Sequence, residues 1–570
     1  MNLKLPLLLL GLLLFAGLIA FEQSIINPIS FIIETNYLSQ PYDQKGLIKG
    51  GLFLFSYLFS LLALISILFI ANRWMAVSLI ALCSIIFGVD FYTQMLGSSP
   101  SGITVAILAT ALTETGRAAD LLVYKKPLTY ALAASTFFLI FALCLRSLIV
   151  KKKRIWFGWS VLALALSIAS IGLLSYKIFS ITTQSYPAPI KLPLVLHQYF
   201  SALPKHEERI LAPSIQTSKT TEYQTIVWVI DESISGNYLG VNAYPKNTTP
   251  FLSSLQFSKD MQNYGVVNSV SNCSNTSNLF LRIGLTSKIQ QDFKTAQHNL
   301  PTIFQYAKRA GFETYLMDGQ MAPGEVQNHL TGYDLKSIDH YIGYPRSIYP
   351  KDRDSEILKS LATLMKGNKQ KRFIVAVKWG AHWPYPLAYP QENAQFQPAA
   401  TDSFTEMTVD NKEIIINAYL NAIEHSVDRF LKQLISQQRP DNSVIFYTSD
   451  HGQSLFTHDN SALTHCHFNT NPAALPLDEF KVPLMVFAAQ AKKHFPKHTN
   501  RLYAQEQIFS STLKLFGYDS KIFNAYGPTL WQGQVSTIAE SYILDSGLKV
   551  SIPKDELQTN TQTTHASVAW

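Results

Sequence analysis

Five long apolar runs before residue 180 constrain this chain more than any other feature. They occupy residues 5–21, 51–71, 74–92, 128–145 and 155–178 of a 570-residue sequence. Most reach or pass the roughly 18–20 residues needed to cross the hydrocarbon core of a bilayer. The charge distribution agrees. Residues 1–175 hold 12 Lys and Arg against 6 Asp and Glu, which is +6 of the net +8, and few charges for their length. Lys4 precedes the first span, Arg73 lies between the second and third, and the KKKR run at 151–154 lies between the fourth and fifth. With these basic residues on the cytoplasmic side, the N-terminus lies inside and everything after about residue 180 lies outside, together with the loops 22–50 and 93–127. No small-x-small cleavage pattern follows Phe21, so the first run is expected to stay as a span. The loop sequence LATALTETGRAADLLVY reads as a short helix capped by Thr113 or Thr115. It suits either an interfacial helix or a grip on a lipid headgroup through Thr113 and Glu114.

The rest of the chain is different in kind. Residues 179–222 are rich in Pro, Ser, Thr and Lys and read as a linker, leaving 1–178 as the membrane domain and 223–570 as an outer domain. Of the 47 basic and 39 acidic residues in the whole chain, 35 and 33 lie beyond residue 175. That near balance excludes a basic nucleic-acid-binding surface as the source of the high isoelectric point. Aromatic content of 12% excludes a disordered chain, and four cysteines are too few for a disulfide scaffold. TIVWVID at 225–231, ETYLMDG at 313–319, RFIVAVKWG at 372–380, SVIFYTSD at 443–450 and VPLMVFAA at 482–489 are continuous apolar runs. Strands buried on both faces look like this. Residues 301–310 and 412–437 have helical spacing between them, the second with an apolar stripe through Ile415, Ile416, Tyr419, Ile423, Val427, Phe430, Leu431 and Leu434. Alternating strands and helices predict an α/β domain around a mostly parallel sheet.

Ligands of such sheets bind outside the carboxyl ends of the strands. Asp231 and Glu232 follow the first strand, His382 the third, and Asp450-His451-Gly452 the fourth. Carboxylates and an imidazole converging on one edge form an N/O donor set suited to Zn²⁺. A nucleophile is sought in SVSNCSNTSNLFLRIGLTS at 269–287, where a polar cluster runs into an apolar helix. Ser277 or Thr276 fits a helix N-terminus, whose partial positive charge favours a phosphate.

IDESISGNYLGVNAYPKNTTP, the hydroxyl-led helix, GAHWP and YTSDHGQSL occur in this order after five spans. Together they resemble the membrane-anchored phosphoethanolamine transferases of the alkaline phosphatase/sulfatase superfamily. The resemblance implies an N-terminal five-helix transmembrane domain and an α/β sulfatase-like domain of the alkaline-phosphatase type, in a bacterial inner membrane with the C-terminal domain in the periplasm. Glu232, Asp450, His451 and a hydroxyl would ligate the catalytic zinc. Counting back from RIGLT places Ser277 where the family has a threonine, with Thr276 one residue off. His382 resembles the histidine of a GSHGP motif whose second glycine is missing here. Among His458, His465 and His467, His465 is preferred for the further histidine. His382 and His465 would bind substrate or a second metal. The implied reaction takes phosphoethanolamine from phosphatidylethanolamine onto the zinc-activated Ser277, releases diacylglycerol, and passes the group to a glycan or glycolipid such as lipid A, in a monomer. A disulfide between Cys273 and Cys466 would brace the site in an oxidising compartment. A formylglycine sulfatase is disfavoured, because Cys273 lacks the C-x-[PA]-x-R context. A glycerol-phosphate transferase, a phosphodiesterase and a non-catalytic membrane scaffold are the alternatives.

Overall fold

The computed structural model describes residues 61–70, 72–95, 125–150, 210–212, 222–286, 299–366, 370–401, 408–436, 441–457, 464–466, 476–499, 501–533, 541–543 and 549–551, with the single residues 55, 58, 165 and 405. The chain divides into two compact units, Met1–Leu203 and Pro204–Trp570.

In the first unit, two of the five apolar runs form long helices, α1 (Arg73–Met95) and α2 (Lys125–Val150). Among the described residues one stretch, Ala131–Leu148 in α2, is long and apolar enough to cross a bilayer, and the apolar helix Arg73–Val89 in α1 is shorter. The five-span expectation is thus met by one clear span. Residues 5–21, most of 155–178, and Thr113 and Glu114 lie outside the described residues. The helices pack through small residues. Ser135 donates to the Ser84 carbonyl at 2.7 Å, and a Cβ on Gly88 would stand only 2.9 Å from Ser135 Cβ. Buried Arg146 donates to the carbonyls of Leu68 and Ile70 at 2.7 and 2.8 Å, satisfying backbone groups that lipid could not.

The second unit is built on a seven-stranded sheet in the order β2-β7-β6-β1-β5-β3-β4. The strands are β1 (Thr225–Asp231), β2 (Met261–Asn268), β3 (Glu313–Asp318), β4 (His340–Gly343), β5 (Arg372–Val377), β6 (Ser443–Ser449) and β7 (Lys481–Ala488). The five strands read from the sequence are present, and the edge strands β2 and β4 join them. Strand β7 runs antiparallel to both β6 and β2, and the other pairings are parallel. Residue alternation divides the interior into two cores. Ile226, Trp228, Ile230, Phe373 and Val375 pack on one side of the sheet; Val227, Val229, Ile374, Ala376 and Tyr447 pack on the other. Both faces are buried, which is why the central strands read as unbroken apolar runs.

Five helices matter for the site. Helix α3 (Ser274–Ile283) starts directly after Cys273. Helix α4 (Ile303–Arg309) is capped by Thr302, whose side chain accepts from Gln305 N. Helix α5 (Pro350–Met365) leads to β5. The predicted helix 412–437 is α6 (Lys412–Ile423), then a π-helical turn (Glu424–Arg429), then α7 (Phe430–Ser436). The wider turn lets the Ser426 carbonyl accept from the fully buried Lys378.

Candidate metal centre

Strand β1 delivers Asp231 and Glu232 to the carboxyl edge of the sheet, and its neighbour β6 delivers Asp450 and His451. Donor atoms of Glu232, Asp450 and His451 lie within 4.8 Å of one another, and all three residues are buried. His451 Nε2 is 3.5 Å from Glu232 Oε1 and 3.6 Å from Asp450 Oδ2.

The backbone around these groups is tightly specified. Asp450 Oδ1 accepts from the N–H groups of Ser233 and His451 at 3.0 and 2.7 Å, whereas buried Oδ2 has no hydrogen-bond partner. His451 Nδ1 bonds the Gly452 carbonyl at 2.7 Å, so the proton sits on Nδ1 and Nε2 is presented to the carboxylates. Two glycines make room. A Cβ on Gly452 would meet the Asp478 carbonyl oxygen at 2.1 Å. One on Gly380 (φ +59°) would meet Asp231 Oδ1 at 2.3 Å.

An orphaned buried carboxylate oxygen, a second carboxylate and an imidazole nitrogen of fixed tautomer fit Zn²⁺. The electrostatics point the same way. Burial pushes Asp450 up, and the neighbouring Glu232 charge adds to this, to about 7. Burial alone would raise Glu232, but the hydrogen bond and charge of His451 hold it well below the usual carboxylate range. Burial alone would lower His451, but Asp450 and Glu232 overcome it and push the imidazole to about 9. Two facing buried carboxylates need a positive partner, and a divalent cation is the stronger one.

The hydroxyl in this cluster belongs to Ser274, not to Ser277. Ser274 Oγ lies 3.2 and 3.3 Å from the two Glu232 oxygens and 3.2 Å from His451 Nε2, at the first position of α3. Ser277, three residues further along, donates to the Ser271 carbonyl at 2.9 Å and is buried. Thr276 is likewise buried within the first turn. Counting back from RIGLT therefore lands on the same helix three residues, about 4.5 Å along its axis, past the hydroxyl that meets the carboxylates. The adjacent Cys273 was the better marker. It is disulfide-bonded to Cys466, with the Cα atoms 4.9 Å apart across 193 residues.

That disulfide ties the His465 segment to the start of α3, helped by a bond from Cys466 N to the Asn272 carbonyl at 3.0 Å. The His465 ring stacks on His451 with centroids 4.5 Å apart. His382, in the loop after β5, bonds the Trp383 carbonyl through Nδ1 at 2.6 Å, and its charge acts on Glu232. His458 and His467 lie outside the described residues.

Sequence reasoning missed the supports. Buried Gln320, just past β3, donates to Glu232 Oε2 at 2.9 Å and to the Lys378 carbonyl at 3.0 Å. Its own oxygen accepts from Gln327, whose amide also donates to Asp318. Ser233 donates to Glu232 Oε1 at 2.8 Å. Behind them Lys378 pairs with Asp231 at 2.7 Å, and Tyr447 donates to the same carboxylate oxygen at 2.8 Å. The rule about strand ends would have found Gln320, had it been applied to β3 as well.

The family described as Sulfatase matches residues 224–518, just over half of the chain. The Kdo(2)-lipid A phosphoethanolamine 7''-transferase of Salmonella typhimurium is 25% identical over 286 residues, 48% of this chain and 46% of that protein. Phosphoethanolamine transferase EptC of Escherichia coli is 22% identical over 57% of this chain and 56% of its own length. The chain thus spans about half the length of the curated relatives it matches. The integral membrane lipooligosaccharide phosphoethanolamine transferase A of Neisseria meningitidis shares the fold, with a TM-score of 0.63 at 18% identity over 89% of this chain and 97% of that one.

Proposed function

This chain belongs to the sulfatase family, and on that premise we propose that it transfers phosphoethanolamine from phosphatidylethanolamine to a hydroxyl or phosphate of an envelope glycolipid such as lipid A. One observation carries the reading: a hydroxyl at a helix N-terminus, Ser274, within hydrogen-bonding reach of two buried ligand-type side chains. The names of the similar proteins, phosphoethanolamine transferases, support the choice of group. Sulfate-ester chemistry through formylglycine is disfavoured further, because Cys273 is committed to a disulfide.

Glu232, Asp450, His451 and the Ser274 hydroxyl would hold Zn²⁺. Such an ion supplies Lewis acidity to a phosphoryl oxygen and lowers the pKa of a neighbouring hydroxyl. Ser274 Oγ, its proton passed to solvent, attacks phosphorus in line, the bond from phosphorus to the glycerol oxygen breaks, and diacylglycerol leaves with a proton from His382 or His465. The start of α3 offers its positive end to the phosphate. An acceptor hydroxyl then attacks the same phosphorus, returning its proton to that histidine, and Ser274 Oγ departs to be reprotonated from solvent. On this reading the chain works as a monomer in a bacterial inner membrane with its larger unit in the periplasm, an oxidising compartment that suits the disulfide.

The test is intact-mass analysis of the full chain after exposure to phosphatidylethanolamine. A phosphoethanolamine adduct is expected on the peptide carrying Ser274, lost in Ser274→Ala and kept in Ser277→Ala. A glycerol-phosphate adduct from other lipids would correct the donor. Release to water with no acceptor would mark a phosphodiesterase. A chain that binds no zinc, with Ser274→Ala changing no envelope lipid, would sink the enzymatic reading.

A further inference from the structure

We propose that the flank of the sheet outside β2 is a docking surface for anionic phospholipid headgroups. Strand β2 is one edge of the sheet. The chain that follows β7 runs along that edge. Lys492 N bonds the Lys259 carbonyl at 3.0 Å near the start of β2, and Ala504 bridges to Asn268 at its end. Lys259, Lys492, Lys493, His494, Lys497, His498 and Arg501 are exposed along this path. Phe495 between them is fully buried and pins the segment to the core.

Two features distinguish this surface from an ordinary solvated charge run. First, it is basic in a unit that is otherwise almost neutral, with 35 basic and 33 acidic residues beyond residue 175. The nearby carboxylate, Asp260, is engaged by the Gln490 N–H at 2.8 Å. Among the described residues no salt bridge neutralises Lys259, Lys493, Lys497 or Arg501. Second, large apolar side chains stand out of it. Phe257 is 90% exposed beside Lys492, whose ammonium donates to the Gln256 carbonyl at 2.8 Å, and Leu502 next to Arg501 is 42% exposed. Exposed aromatic and aliphatic tips set among Lys and Arg suit the boundary between headgroups and acyl chains.

The position suits a lipid-handling site. Strand β2 ends at the same edge as β1 and β6, and the chain leaving it reaches Ser274 six residues later. The flank therefore runs the length of the edge strand, from Lys259 and Lys492 at the far rim to Leu502 and Ala504 at the rim that carries the metal centre. The inference takes only the choice of a lipid partner from the proposed function and does not depend on the chemistry at Ser274.

Hydrogen–deuterium exchange of the full chain in nanodiscs tests it, comparing phosphatidylcholine alone with phosphatidylcholine plus phosphatidylglycerol. Exchange in peptides covering 256–260 and 491–498 is expected to slow by about tenfold in the anionic discs. The effect should vanish at high salt. It should also vanish in the triple variant Lys493→Glu, Lys497→Glu, Arg501→Glu, while zinc content and thermal unfolding stay as in the parent. Phe257→Ser should weaken it separately. Equal exchange in both discs, protection that survives charge reversal, or protection only in discs carrying lipid A would overturn the assignment.

Discussion

Replacing Gln320 with leucine tests the metal centre through a residue that touches no reacting atom. The amide donates to Glu232 Oε2 at 2.9 Å, and Gln320 is 2% exposed, so no water can stand in for it. A hydrogen bond to a charged group contributes about 1.5–3 kcal/mol. At 1.4 kcal/mol per factor of ten, that is roughly a 10- to 150-fold loss of Zn²⁺ affinity, in line with the usual cost of removing a second-layer partner of a metal ligand. Leucine nearly conserves volume, so most of the loss should fall on the metal and not on packing. The assay is competition with a fluorescent zinc chelator, run on the purified full chain beside thermal unfolding. Gln327→Leu removes one donor to the Gln320 oxygen and should cost less. The double variant should be no worse than Gln320→Leu alone, because Gln327 acts through Gln320. Affinity unchanged within about threefold in Gln320→Leu, alongside a large loss in Glu232→Gln, would refute the idea that this amide fixes the ligand.

Four further outcomes are expected. Zn²⁺ must displace protons held by Asp450 at about 7 and His451 at about 9, so affinity should climb with pH between about 6 and 9 and fall on acidification; calorimetry in buffers of different ionisation enthalpy would count the protons released. Removing the disulfide with paired Cys273→Ser and Cys466→Ser opens a loop of 193 residues and should cost about 2–5 kcal/mol, read as a lowered unfolding midpoint. Lys378→Met strands the buried Asp231 carboxylate and should destabilise by about 3–5 kcal/mol, with Lys378→Met/Asp231→Leu recovering much of it in the same unfolding assay. Gly452→Ala forces a Cβ against the Asp478 carbonyl and should abolish zinc retention even where some folded protein survives, as metal analysis after gel filtration would show.

The parts of the fold legible in the sequence are those whose burial is two-sided. Strands β1, β3, β5, β6 and β7 are apolar on every residue that meets a core, and they stand out against any background. Strand β2 mixes buried and half-exposed residues, with a register shift between Asn263 and Gly265, and β4 has four residues at the opposite edge. Neither leaves an unbroken run. The reversal of β7 leaves no trace either, because an apolar run is the same whichever way its neighbour points. The ligand-type residues were legible because strand ends are; Glu232, Asp450 and His451 follow β1 and β6 at once. The hydroxyl was harder. SNCSNTS offers four serine or threonine hydroxyls within seven residues, and composition does not say where the first helical residue falls. Here it falls directly after a cysteine held by a partner 193 residues away, a constraint no local pattern carries.

The reversal of β7 has a consequence for how such a centre can vary. Parallel neighbours oblige the chain to leave one rim of the sheet and travel to the other before the next strand begins. Strands β6 and β7 are antiparallel neighbours, so the chain leaves β6 and enters β7 on the same rim. That excursion opens with Asp450 and His451, carries His465 and Cys466, and closes with Glu479, whose carbonyl accepts from Gly452 at 2.7 Å. Length added or lost within it shifts nothing in the strand order. The connection between these two strands can therefore vary in length while Glu232, Asp450 and His451 stay where β1 and β6 set them.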